Sequence, residues 1–191
     1  MKKIFLLSSI LSSIFTFAQK RNAQFSIAAE SAVMATKQAY KVYNLGFGGS
    51  GKILFPTNKK NFITGTLELM AFSGRSGPIG EVLNVQGAPA NINVAHPSLT
   101  LIVPKVGYKL FLNSKLNSEI EAGYTFASVK KLDNNIKGDV GGLCFSFGLG
   151  FLVTKKLDIG LRYEQFETTA SEKDFTSFVA LRTLLNIDWK K

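Results

Sequence analysis

Two side chains in the stretch AHPSL could do chemistry together: His96 and Ser98, two residues apart. A histidine beside a serine hydroxyl can take its proton and make the oxygen a nucleophile, provided a carboxylate orients the imidazole. His96 is the single histidine of the chain. The acids nearest in the strand pattern set out below, Glu119 and Glu121, fall on the opposite face, and Pro97 interrupts regular pairing between the two residues. The plainer reading is a loop histidine and a turn serine.

Other common chemistries lack their residues. Cys144 is the one cysteine, so there is no intrachain disulfide and no cysteine-based zinc site. It sits among small alternating residues and reads as a packed side chain rather than a reactive thiol. One histidine and one cysteine far apart make no metal cluster, and neither a metal nor a cofactor is expected. The glycine-rich LGFGGSGK at 45–52 does not match GxxxxGK[ST], because Ile53 follows Lys52. The formal charge of +10 is spread through turns rather than clustered, which argues against a nucleic-acid partner.

What would position any site is a set of strands. In GGLCFSFGLGFLVTKKLDIGLRYEQFE, residues 141–167, Leu143, Phe145, Phe147, Leu149 and Phe151 alternate with Cys144, Ser146, Gly148 and Gly150. After TKK the pattern restarts, with Leu157, Ile159, Leu161 and Tyr163 alternating with Asp158, Gly160, Arg162 and Glu164. Period 2 is the signature of a strand, since successive side chains point to opposite faces. This is a hairpin with one greasy face. Six further segments alternate in the same way, eight in all, at 23–35, 44–55, 61–72, 99–112, 116–129 and 175–189.

The second face of these segments carries Glu30, Lys52, Glu68, Lys105, Lys109, Glu119, Glu121, Asp158, Arg162, Glu164 and Arg182. In a soluble sandwich these would be the solvated face. In a closed barrel they would line the lumen and pair with one another, because buried charges need partners. The connections decide between the two. Strands two and three, four and five, and six and seven are joined by PTNKK, NSK and TKK, each containing Asn, Thr or Ser with Lys. The intervening connections are longer, the longest at 73–98. Alternating short turns and longer loops is how transmembrane barrels are built. A bilayer also requires every backbone group to be satisfied within the protein, so the strands must close. The expected fold is therefore all-β: an eight-stranded antiparallel up-and-down transmembrane β-barrel. Phe145, Phe147, Phe151, Leu161 and Trp189 are expected to face lipid. Gly46, Gly48, Gly123, Gly148 and Gly160 are expected to make room inside for long charged chains. Phe55, Tyr108, Phe151, Trp189, Tyr124, Phe126 and Tyr163 are expected to join interface girdles near strand ends.

The N-terminus MKKIFLLSSILSSIFTFAQ has two lysines, a short apolar stretch and Thr16-Phe17-Ala18, which fits signal-peptidase cleavage after Ala18. Residues 1–18 are read as a signal peptide and 19–191 as the barrel. No later apolar run is long enough to span a bilayer as a helix.

On these features the chain resembles the small outer-membrane β-barrel proteins of Gram-negative bacteria, the OmpA/OmpX-like "porin family" barrels, over residues 19–191. The last strand, FVALRTLLNIDW, resembles the C-terminal targeting strand read by the barrel-assembly machinery, except that Lys190 and Lys191 follow Trp189. No peptidoglycan-binding segment follows strand eight, so the resemblance is to barrels without a periplasmic domain. It implies an outer-membrane location, with outer-membrane lipid and lipopolysaccharide, the assembly machinery during insertion, and a larger outer-membrane complex as partners. Fold does not settle function. The leading expectation is a non-enzymatic structural or interaction protein that binds other envelope components through its outer loops or lipid-facing wall. Within the 73–98 loop, Ile79, Val82, Leu83, Val85 and Ile92 are the candidate contacts. The alternative is a narrow small-solute channel. A lipid A-modifying enzyme is the third reading, because lipid A deacylase barrels place a His-x-Ser pair on their outer wall, as His96 and Ser98 would be here.

Overall fold

The computed structural model describes residues 23–58, 60–78, 93–95, 98–130, 138–168 and 174–187. Its strands are β1 (Gln24–Met34), β2 (Tyr43–Pro56), β3 (Asn61–Gly74), β4 (Ser76–Pro78), β5 (Asn93–Ala95), β6 (Ser98–Phe111), β7 (Leu116–Lys130), β8 (Gly138–Leu152), β9 (Leu157–Thr168) and β10 (Asp174–Ile187), with one short helix, α1 (Lys37–Val42), between β1 and β2. Eight of the strands close a barrel in the order β1-β10-β9-β8-β7-β6-β3-β2, and β4 and β5 form a separate two-stranded ribbon. Every barrel pairing is antiparallel between chain neighbours, and β1 pairs with β10 to complete the ring. The eight-stranded antiparallel barrel expected from the alternation is therefore the fold.

Closure explains why so many long strands leave no open edge in the barrel: each edge is consumed by its neighbour. The register sets which face each residue takes, because a one-residue slip would turn every side chain over. β8 illustrates this. Phe145 lies opposite Ala122 and Gln165, Phe147 opposite Ile120 and Tyr163, all pointing outward, while Ser146 faces in between Glu121 and Glu164. The eight barrel strands run 11 to 15 residues, enough to cross a hydrocarbon layer when tilted.

The three short connections share one turn. Asn58 Oδ1 accepts from the backbone N–H of Lys60 and Asn61, Asn113 Oδ1 from Lys115 and Leu116, and Thr154 Oγ1 from Lys156 and Leu157. Short polar side chains that bond their own backbone two residues on favour tight turns, which is why Asn and Thr recur there. The long-loop end is more built than the sequence suggests. The first connection contains α1, whose Ala39 is buried, and Arg75 stacks on the Tyr40 ring at 5.1 Å. Within the 73–98 connection, β4 and β5 pair as a ribbon. Residues 1–22, Ile79, Val82, Leu83, Val85, Ile92, His96 and Trp189 lie outside the described residues, so the signal peptide and those site expectations rest on sequence.

Candidate functional site: a sealed lumen and an apolar wall

All eleven charged residues assigned to the inner face are buried: Glu30, Lys52, Glu68, Lys105, Lys109, Glu119, Glu121, Asp158, Arg162, Glu164 and Arg182. Strand direction and closure bring them together, since contacts form across the lumen rather than along one sheet. Arg162 of β9 reaches Glu68 of β3, on the far side of the ring, at 2.5 Å, and Glu30 of β1 at 2.7 Å. Lys105 of β6 joins Glu68 on the neighbouring strand to Glu164 of β9, the latter at 2.5 Å. Nearer the short turns, Lys52 of β2 pairs with Glu119 and Glu121 of β7, and Arg182 of β10 meets Glu119 at 3.0 Å. Lys109 bonds Asp158 at 2.9 Å, and Asn117 donates to the same oxygen at 3.0 Å. Neutral groups complete the network: Ser50 donates to Glu30, and Thr66 donates to Glu121 at 2.6 Å. A buried charge stripped of its partner is costly, so six acids and five bases distributed over seven of the eight barrel strands, all but β8, bind the wall to itself.

The lumen is not lined by the charged residues and glycines alone, as expected from the sequence, and the difference lies at the long-loop end. There the inner face is apolar: Met34, Met70, Phe72, Leu101, Val103, Cys144, Phe166 and Phe178 pack with Ala32, Ala39, Ala127 and Ala180 in one cluster. The Phe72 and Phe178 ring centroids stand 5.5 Å apart and those of Phe166 and Phe178 6.3 Å apart, within the range of favourable edge and tilted contacts. The Arg162 guanidinium lies 5.8 Å from the Phe178 ring and joins the two layers. The signal was present in LELMAF and RYEQF, where Met70, Phe72 and Phe166 share the parity of the charged residues. Parity gives the face but not the height at which the lining changes from charged to apolar.

The inner glycines also divide by layer. A Cβ at Gly46 would strike the Phe72 ring and one at Gly48 the Met70 strand, so these two serve the apolar plug, not the long charged chains. Gly123 does face a charged chain: a Cβ there would meet the Lys105 stem and the Pro104 carbonyl. A Cβ at Gly148 would stand 3.9 Å from Arg182 Nη2 and from Glu119 Cβ, ordinary contact distances.

Cys144 is fully buried within the plug. A thiol there is out of reach of aqueous reagents. A maleimide should leave Cys144 unlabelled in the folded barrel and label it once the chain is unfolded, with intact-mass spectra as the check.

The outer wall is the reverse of the lumen. Phe145, Phe147, Phe151 and Leu161 are between 47% and 58% exposed, as no soluble core would leave them. A contiguous apolar surface of this extent marks an interface or a membrane. A shallow groove of about 410 Å³ runs between Phe147, Phe151, Leu161 and Leu181. The girdle expectation needs correction at Tyr163. Tyr163 sits opposite Phe147 and Val179 in mid-wall, not at a strand end. The Tyr124 and Phe126 ring centroids stand 5.0 Å apart along β7, tilted at 57°, with the Tyr124 ring over Gly141. Ser98, the described half of the His-x-Ser pair, is half-buried at the start of β6, opposite Lys130. Among the described residues no three His, Cys, Asp or Glu are grouped to hold a metal ion.

No family model and no curated protein matches the chain. Solved structures do. The N-terminal β-barrel domain of Pseudomonas aeruginosa OprF aligns at a TM-score of 0.56 and 11% identity, over 87% of this chain and 98% of that one. Ail, the attachment invasion locus protein of Yersinia pestis, in complex with the heparin analogue sucrose octasulfate, aligns at 0.54 and 14% identity, over 87% and 98%. Neisserial surface protein A aligns at 0.51 and 14% identity, over 88% and 100%. At such identities the likeness is one of fold.

Proposed function

We propose, from a chain that has the fold of the small eight-stranded outer-membrane barrels, that it is a non-enzymatic outer-membrane protein with a structural or interaction role. In this reading residues 1–18 are a signal peptide cleaved after Ala18, and 19–191 insert into the outer membrane of a Gram-negative bacterium through the barrel-assembly machinery. The outer loops or the lipid-facing wall then contact lipopolysaccharide and other envelope components, including a larger outer-membrane complex, with Ile79, Val82, Leu83, Val85 and Ile92 as loop contacts.

One observation carries the reading. The interior is filled twice over, by the ion-pair network and by the phenylalanine plug, while the exterior is apolar from turn to loop. An eight-stranded barrel is just wide enough for its side chains to fill. With the inside occupied, recognition is left to the wall and the loops, where binding groups on rigid scaffolds usually sit. The test is affinity purification of the tagged protein from outer membranes solubilised in mild detergent, with native mass analysis of the eluate. Stoichiometric companions support an interaction role; a barrel that elutes alone in every detergent counts against it.

A second reading, a narrow small-solute channel, draws on the lumenal atoms left without a hydrogen-bond partner in the protein, among them Asp158 Oδ1, Glu164 Oε1 and Arg162 Nη1. Lipid A modification would use His96 and Ser98. Lipid A mass spectra from cells expressing the wild type and His96→Ala are expected to be identical; a modification that disappears with His96 would instead establish the enzyme.

A further inference from the structure

The three short turns form one repeated device that holds a lysine at the same place around one end of the barrel. Besides the shared Asn or Thr bonds, each turn ties its last lysine to the next hairpin through the backbone. Phe111 N–H donates to the Lys60 carbonyl at 2.9 Å, Leu152 N–H to that of Lys115 at 2.8 Å and Asn186 N–H to that of Lys156 at 2.7 Å. Lys60, Lys115 and Lys156 are thus equivalent positions, spaced around the ring at the β2–β3, β6–β7 and β8–β9 junctions. The remaining quarter, where β1 meets β10, is flanked in sequence by Lys20, Arg21, Lys190 and Lys191.

The charge of this rim is of one sign. The three turns contain Lys59, Lys60, Lys115, Lys155 and Lys156 and no acid, whereas three of the four long connections contain acids, among them Glu81, Asp133, Glu172 and Asp174. Lys60, Lys115, Lys155 and Lys156 are exposed, and among the described residues no carboxylate pairs with them, while every buried lysine and arginine of the lumen is paired. The rim also adjoins the greasy wall directly. Leu112 and Val153, which open two of the turns, are 49% and 50% exposed, and the Lys115 ammonium stands 5.9 Å over the outward Phe151 ring. Apolar side chains and lysines mixed at one level are what a membrane interface takes up, with the stem along the apolar surface and the head among phosphates.

We infer that this lysine rim is a docking surface for the anionic phosphate head groups of phospholipids in the leaflet on the short-turn side. The inference rests on the chain spanning a bilayer as proposed above. The rim selects acidic over zwitterionic lipid and anchors the barrel's turn end at a fixed depth. The selection is electrostatic and falls away with salt.

The test uses the mature barrel reconstituted in phosphatidylcholine vesicles that carry either spin-labelled phosphatidylglycerol or spin-labelled phosphatidylcholine. Alkaline extraction and the heat-dependent gel shift first establish that the barrel is folded and inserted; a barrel that fails both overturns the membrane reading, and this inference with it. For the inserted wild type the motionally restricted phosphatidylglycerol should exceed phosphatidylcholine by about threefold or more at low salt, and the two should converge at high salt. The K59S/K60S/K115S/K155S/K156S variant, inserted to the same extent, should show equal association of the two lipids. Equal association in the wild type, or a preference that survives in the inserted variant, overturns the rim as the acidic-lipid site.

Discussion

Replacing Arg162 with methionine should lower the unfolding free energy of the barrel by about 3–5 kcal/mol. The guanidinium is 2% exposed and is the shared counter-charge of Glu30, Glu68 and Glu164, on three different strands. Its loss leaves the Glu68 and Glu164 carboxylates to Lys105 alone and leaves Glu30 with only the Ser50 hydroxyl. The cost comes from stranding buried carboxylates, not from the worth of the pair itself. Arg162→Met combined with Glu30→Met should therefore recover part of the loss, since one stranded acid goes with it. Urea titration of the vesicle-inserted barrel, read by the heat-dependent gel shift, measures both. A single variant as stable as the wild type would mean that Arg162 is solvated and the lumen open.

The second large effect belongs to the outer wall. Phe147 stands in the middle of β8, half exposed, between Ile120 and Tyr163. Phe147→Arg should destabilise the inserted barrel by about 2–4 kcal/mol, the cost of a cation near the bilayer midplane. The same substitution on a solvated sheet face would stay within about 0.5 kcal/mol of neutral. Phe147→Leu keeps the wall apolar and should leave the urea midpoint nearly unchanged. The contrast between arginine and leucine at this one position separates a lipid-facing wall from a water-facing one.

Much of this arrangement was legible in the alternation. Phe145, Phe147 and Phe151 against Ser146, Gly148 and Gly150 settle the face of β8, and the register then fixes the rest, because every neighbour is antiparallel and all but the closing pair β1 and β10 are joined by a hairpin or longer connection. The eleven charged residues could be assigned inward for the same reason. Their partners could not. Arg162 meets Glu68 from 94 residues away, and Lys52 meets Glu119 from 67, because closure brings β9 to β3 and β2 to β7, and nothing local in the sequence encodes that crossing. The plug was missed differently. Phe72, Phe166 and Phe178 have the inward parity that was read for charges only, and the change from charged to apolar lining follows height in the barrel, which period 2 does not carry. α1 is six residues long and enters the mouth through Ala39 alone, too short to show a helical period. The turn repeat was visible as Asn or Thr with Lys, but the backbone bond from each lysine carbonyl to the next hairpin exists only once the hairpins stand side by side.

The central claim is that the lumen is sealed and that the protein acts through its outside. Single-channel recording of the purified, folded barrel in a planar bilayer tests it most directly. The account predicts a silent membrane, with no well-defined openings. Discrete openings whose size changes when Arg162 or Glu164 is neutralised would contradict it and make the chain a channel.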